Sequence, residues 1–475
     1  LGDVYKRQEK AAPQISLLSR VAVLVAGAIC IGLCLFGIRG RMGYNPIKVS
    51  QAYYCEDPFL NQLGVNPVFN LLTSTLDDNR KENRTLHLMS EEDALSKVQK
   101  YLHRQGIDRL SPIARKVERE GTPNRRNVVL VFMESMSANL MGTFGSDKKL
   151  TPYLDSLYQQ SLSFSHFYSS GIHTNHGIYS TLYSFPAIMK RNAMKGSVIP
   201  VYSGLPTVLQ ENGYCNLFFM THESQYDNMN AFLRTNGFDE IYAQENYPSE
   251  KVVNSFGVQD DFMYQYALPI LNERAGTGNP FFSVLLSISN HPPYVIPPYF
   301  HPHSDVLEEQ IVEYADWSIQ QFMQAAEKQP WFDNTIFVFL GDHGKMVGTP
   351  ECEMPQSYNH IPLMIYGKDI KPGVYDGFGG QVDVSPTLLG LLNISYLQNN
   401  FGVNLLEEER PCMFFTADNL IGARDSVNMF IYSPDSQQEF KYKLEEGKLH
   451  AATGTDEEAF RNLKDYCFSM LQSTE

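Results

Sequence analysis

Short unbroken apolar runs, most of them closed by a carboxylate or an imidazole, constrain the fold of this chain more than any other feature. They fall at residues 127–133 (NVVLVFM), 214–220, 281–287, 335–340 and 361–366. Runs without polar alternation suit strands covered on both faces, as in a parallel sheet. Helix candidates lie between them. Thr151 and Pro152 supply an N-cap and first-turn proline for one that ends near Leu162, and Gly213 stops a second over 205–212. Two more cover 308–327 and 382–392. Alternation of this kind over 121–399 predicts a doubly wound, mostly parallel α/β domain.

Residues 21–38 are uncharged and mostly apolar between Arg20 and Arg39, close to the length of a bilayer crossing. A signal peptide would carry a shorter apolar region and a small-residue cleavage site; Arg39, Gly40 and Arg41 follow instead. Lys6, Arg7, Lys10 and Arg20 outnumber the basic residues just after the span, which favours a cytoplasmic tail at 1–20 and an external globular part. A start at Leu1 rather than Met is what a fragment would show. Residues 39–120 read as a juxtamembrane stalk with one helix, opened by a capping pair at Ser90 and Asp93 and running to about Gly106. Residues 400–475 are more polar and read as a small C-terminal subdomain. With 53 acidic against 38 basic side chains, the net charge of −15 excludes a general nucleic-acid binder. Seven cysteines without metal-ligand spacing make neither a disulfide scaffold nor a zinc module.

Ligands in open α/β sheets bind beyond the carboxyl ends of the strands. Glu134 follows the first run; Asp342, His343 and Gly344 follow the fourth. His222 and Glu223 follow the second, and Asn290 and His291 the third. Singly, each could be a cap, a turn residue or a satisfied core histidine. Collected at one sheet edge, they suit a divalent cation such as Mn²⁺ or Zn²⁺. The loop 169–181 (SSGIHTNHGIYST) offers a hydroxyl nucleophile at the start of a helix. A neighbouring cation would make such a hydroxyl reactive, but chemistry alone does not choose Thr174 over Ser170 or Ser180. There is no GxSxG elbow, GxxxxGK[ST] loop, HExxH or strand-following GxGxxG.

The ordered set NVVLVFMESMSA, LTPYLDSL, SGIHTNHGIYSTLYSFP, NGFDEIY, SNHPPY, FLGDHG and HIPLMIYG resembles the lipoteichoic acid synthase-like branch of the alkaline phosphatase/sulfatase superfamily over about 120–395. The resemblance implies an alkaline phosphatase-like fold and one divalent metal, usually Mn²⁺, with Zn²⁺ or Mg²⁺ as alternatives. It makes Glu134, Thr174, Asp342 and His343 metal ligands and Thr174 the nucleophile. It places His222 and His291 on the phosphate or the attacking and leaving oxygens, and gives His343 a second role in proton handling. The activity implied is transfer of a phosphoglycerol-like group from a phospholipid donor to a glycan or lipid acceptor at the membrane. His173, His176 and His360 lie near motif positions. One departure stands out: aligned on GFD, Asp227 and Met229 occupy positions where the branch carries a Trp and an Arg, with Tyr226 or Arg234 as the nearest compensation. Formylglycine sulfatase chemistry needs a C/S-x-P-x-R context, absent here. A phosphoethanolamine transferase, a phosphodiesterase or another ester hydrolase of the superfamily remain the enzymatic alternatives; an inactive membrane scaffold is the non-enzymatic one.

Overall fold

The computed structural model describes residues 16–42, 46–55, 57–80, 83, 85–108, 111–196, 199–445, 447–452 and 457–474. Most of the expected cytoplasmic tail, including Lys6, Arg7 and Lys10, lies outside the described residues. The chain divides into two compact units between Gln51 and Ala52.

The first unit contains helix α1 (Leu17–Arg39), slightly longer than the apolar run at both ends. The Ser16 hydroxyl accepts from the Ser19 N–H at its start, and Gly40, at φ 76°, ends it with an N–H donated to the Phe36 carbonyl. Its 23 residues extend about 35 Å, enough to cross a hydrocarbon core, and none is buried.

In the second unit, α2 (Pro67–Asp78) and α3 (Glu91–Tyr101) precede the sheet. Ser90 caps α3 by accepting from the Asp93 N–H. This part of the expected stalk belongs with the globular unit: Tyr101 packs edge-on against Tyr466, and Lys97 pairs with Asp465 at 3.2 Å. The short strand Arg115–Val117 also pairs with Tyr396–Gln398.

The central sheet contains β1 (Asn127–Met133), β2 (Leu162–Tyr168), β3 (Cys215–Met220), β4 (Glu240–Tyr242), β5 (Phe281–Leu286), β6 (Thr335–Gly341), β7 (Leu363–Tyr366) and β8 (Gly373–Gly380). Their spatial order is β8-β2-β7-β6-β1-β5-β3-β4. Strands β6, β1, β5, β3 and β4 are parallel, as are β8 and β2. The exception is β7, antiparallel to both β2 and β6, where the sequence pattern had placed it among parallel strands. A buried apolar run carries no mark of strand direction, so the pattern could not show this reversal.

Every residue of β1, β5 and β6 is buried, as their unbroken apolar character requires. Val129, Val131 and Met133 share one core with α4 (Pro152–Gln160), α7 (Asp260–Ala275) and α8 (Leu307–Ala326). Strand periodicity leaves Val128, Leu130 and Phe132 for the other face. There, α5 (Thr174–Tyr183), α6 (Leu205–Glu211) and α9 (Val384–Leu391) form the second helical layer. The C-terminal part adds an antiparallel sheet, β9 (Met413–Thr416), β10 (Ile421–Arg424), β11 (Asn428–Ser433), β12 (Gln438–Glu445) and β13 (Lys448–Ala451), packed on α10 (Glu457–Gln472). A buried Arg410 fastens it to the core, clasping Asp383 at 2.6 and 2.8 Å and donating to the Tyr466 hydroxyl at 2.7 Å.

His360, just before β7, is half-buried between Phe144 and Tyr168, its Nε2 2.9 Å from the Ser165 carbonyl oxygen. Burial pushes its pKa down to about 4. An unfolded histidine titrates near 6.5, so acid gives the unfolded chain a proton that the folded chain refuses. His360 therefore lowers stability as pH falls from about 6.5 to 4, by up to about 3 kcal/mol. Thermal melts across this range should show that loss, and His360→Gln should flatten it.

Candidate active site

At the carboxyl ends of adjacent strands β1 and β6, the chain places Glu134, Asp342 and His343. One ligand atom from each lies within 4.8 Å of the other two. Ser135 organises the carboxylates. Its left-handed backbone, at φ 51°, allows its N–H to donate to Asp342 Oδ1 at 2.8 Å and its hydroxyl to Glu134 Oε1 at 2.6 Å. Asp342 Oδ1 also accepts the His343 N–H at 2.8 Å. Glu134 Oε2 and Asp342 Oδ2 are buried without a hydrogen-bond partner among the described residues. His343 Nδ1 is 2.8 Å from the Gly344 carbonyl, so the proton sits there and the Nε2 lone pair is left toward the carboxylates. Burial, reinforced by Asp342, pushes the Glu134 pKa well above the usual carboxylate range. Two buried acids sharing unpartnered oxygens and a bare imidazole nitrogen form the donor set a divalent cation needs.

Thr174 opens helix α5, and a glycine explains its position. A Cβ on Gly177 would lie 2.3 Å from the Asp342 carbonyl oxygen, so only glycine lets the helix rest on that loop. Three residues earlier on the same face, Thr174 lies one turn nearer the helix N-terminus. Gln381 ties the two loops together. Its amide donates to the Gly341 and Asp342 carbonyls at 3.1 and 2.7 Å, and its Oε1 accepts the Ser170 N–H at 3.0 Å. Thr174 lines a cavity of about 300 Å³ with His343, His222, His291, Lys345 and Tyr226. Of the three hydroxyls open at the sequence level, Thr174 lines this cavity; Ser170 and Ser180 are buried outside its lining.

His222 is buried with Nδ1 3.0 Å from the Glu223 carbonyl, and burial depresses its pKa. His291 holds Nδ1 2.7 Å from the Pro292 carbonyl and packs against Phe256. Both rings thus use Nδ1 for the backbone. His173 also lines the cavity, bonded to Asp418 at 2.6 Å. His176 turns toward the Arg191 carbonyl, and His360 toward the Ser165 carbonyl; neither lines the cavity. Of the anticipated compensations, Tyr226 lines the cavity, whereas Arg234 bonds Asn230. Asp227 faces the cavity and is held by Lys195 at 2.7 Å, while Met229 is buried.

Sequence reasoning missed Lys345. Its ammonium donates to Asn290 Oδ1 at 2.6 Å, while the Asn290 amide bonds the Glu134 carbonyl at 3.1 Å. Burial lowers its pKa to about 8. The available signal was its place three residues after Asp342, on the same strand-end loop.

A family model described as Sulfatase matches residues 126–394. The lipoteichoic acid synthase-like protein YvgJ of Bacillus subtilis is 25% identical over 362 residues, covering 69% of this chain and 56% of its own. The lipoteichoic acid synthase of Staphylococcus aureus strain USA300 is 24% identical over 400 residues, covering 74% and 58%. This chain thus spans little more than half the length of these relatives. Among solved structures, an alkaline phosphatase superfamily protein from Vibrio parahaemolyticus superposes with a TM-score of 0.73 at 26% identity, covering 81% of this chain and 96% of its own. The lipoteichoic acid synthase LtaP from Listeria monocytogenes gives 0.66 at 21% identity, with coverages of 80% and 97%, a likeness of fold.

Asp342→Asn keeps an acceptor for the Ser135 and His343 N–H groups but removes one of the two buried charges. Calorimetry should find the metal-free variant about 1–3 kcal/mol more stable than the parent. The rise in melting temperature on adding MnCl₂ should shrink. A metal-free variant less stable than the parent would contradict the charge conflict described above.

Proposed function

This chain belongs to the sulfatase family, and on that premise we propose that it is a membrane-anchored enzyme moving a substituted phosphoryl group, phosphoglycerol or a close analogue, from a phospholipid to a glycan or lipid acceptor. The observation that carries this reading is the convergence on one histidine-lined cavity of Thr174, at a helix N-terminus, with His343 of the Glu134–Asp342–His343 cluster and with Ser135, which hydrogen-bonds both buried acids of that cluster. Glu134, Asp342 and His343, with the Thr174 hydroxyl, would hold one divalent cation, Mn²⁺ foremost. When bound, that cation supplies Lewis acidity at phosphorus and lowers the cost of ionising the hydroxyl.

The remaining work falls to the protein. Backbone N–H groups in the first turn of α5 and the Lys345 ammonium bind the phosphodiester oxygens. Thr174 Oγ forms a bond to phosphorus as the bond to the diacylglycerol oxygen breaks. That oxygen leaves with a proton from an imidazolium, for which His291 and His222 are the groups at hand. An acceptor hydroxyl then returns a proton to the imidazole, attacks phosphorus and frees Thr174. The Nδ1 bonds of both histidines to backbone carbonyls direct Nε2 to this task. Helix α1 would hold the catalytic part at the external membrane surface, raising the local concentration of lipid donor. Without the C/S-x-P-x-R context the chain has no formylglycine precursor, so the family name does not imply sulfate-ester hydrolysis here.

Incubating the full chain with phosphatidylglycerol vesicles and MnCl₂ should give a covalent adduct on Thr174 by peptide mass spectrometry, and Thr174→Ala should abolish both adduct and turnover. Undiminished turnover in that variant would move the nucleophile elsewhere. Lys345→Met should raise KM roughly tenfold or more while changing kcat less, as expected on losing a charge-assisted contact to the bound anion.

A further inference from the structure

Helix α2 is amphipathic in the wrong sense for water. Asn70, Thr73, Ser74 and Asp77, spaced i, i+3, i+4 and i+7, are half-buried against the protein, whereas Val68, Leu71, Leu72 and Leu76 are 60–67% exposed. The preceding short helix Pro58–Gln62 repeats the inversion. Its Asn61 is fully buried and accepts the Tyr54 and Cys55 N–H groups, while Phe59 and Leu63 are 69% and 68% exposed. The polar residues are thus committed to the protein, and a continuous run of large apolar side chains faces outward.

Two further observations identify what covers this face. The first is chain continuity: eighteen residues (40–57) join it to α1, the helix long enough to cross a bilayer, so the face is tethered within reach of a membrane surface. The second is the cavity at its inner edge. Ser74 and Asp77 line a space of about 430 Å³ with Arg191 and Lys195, and Asn175, the residue after Thr174, lines both this space and the catalytic cavity. Lys195 reaches Asp227 at the catalytic rim. An apolar outer face beside a polar, cation-bearing cavity matches an amphiphile with its chains outside and its anionic head within.

We propose that residues 58–76 form an interfacial element that lies in the lipid surface and sets the mouth of the active site against phospholipid headgroups, with the 430 Å³ cavity as their route to Thr174. The route rests on the transferase reading above; the docking does not.

The test uses the full chain in vesicles of phosphatidylglycerol and phosphatidylcholine with or without brominated acyl chains. Leu72→Trp fluorescence is read against the two native tryptophans and against Leu397→Trp, an exposed position elsewhere on the same unit. Bromolipid should quench the residue-72 signal several-fold more than the residue-397 signal. Equal quenching overturns the docking, and would be the result if a second copy or another protein segment covered the face. In the second measurement, Leu71→Asp with Leu72→Asp should lower the ratio of phosphatidylglycerol turnover to that of a water-soluble phosphodiester by about tenfold or more. An unchanged ratio overturns the headgroup route. A parent chain that turns over neither substrate refutes the transferase reading, and the route with it, while the quenching still decides the docking.

Discussion

Two carboxylates buried side by side are the interaction on which this architecture turns. Glu134 and Asp342 follow strands that are neighbours in the sheet, and each keeps one oxygen without a hydrogen-bond partner among the described residues. A fold tolerates such repulsion only when rigid surroundings impose it and a proton or a bound cation relieves it. The surroundings are visible: strands buried along their whole length, a left-handed Ser135 that hydrogen-bonds both acids, and Gln381 bridging the Asp342 loop to the Ser170 loop. Gly177 lets helix α5, which Thr174 opens, settle directly on the Asp342 backbone.

Much of this was legible in the sequence where burial and chemistry leave a mark on residue type. The fully covered strands β1, β5 and β6, and the nearly covered β3, were visible as apolar runs, and the strand-end rule pointed to Glu134, Asp342, His343, His222 and His291. Where one face is open, or glycine replaces side chains, the mark fades. Strand β2 reads LSFSHFY and β8 reads GVYDGFGG, and neither stood out. Lys345 and Gln381 were invisible for a different reason. Their importance comes from what they touch across the sheet edge, which no local pattern encodes. The inverted polarity of α2 could not be recognised from sequence, because amphipathic spacing does not say which side faces the protein.

The departure at Asp227 takes on a physical meaning in the structure. Asp227 stands where the resemblance leads one to expect a Trp and Met229 where it leads one to expect an Arg, yet Lys195 from another loop pairs with Asp227 at 2.7 Å, and Lys345 lines the same cavity. Positive charge has thus been redistributed around the opening, and the Asp227–Lys195 pair is a crosslink between loops in place of a lone cation. Such a rim selects an anionic group by charge rather than by outline, since ion pairing fixes charge but not shape.

The reversal of β7 has a consequence for how this scaffold can diversify. Because the strand after β6 runs back alongside it, the segment 342–362 leaves and rejoins the sheet at the same edge, as the excursion of an oversized hairpin. His343 and Lys345 stand where it departs and His360 where it returns. Material can be added to or trimmed from its middle without disturbing strand register or the helices behind. The enclosure beside the buried carboxylates is therefore modular, a roof that can be rebuilt while the floor beneath it stays fixed.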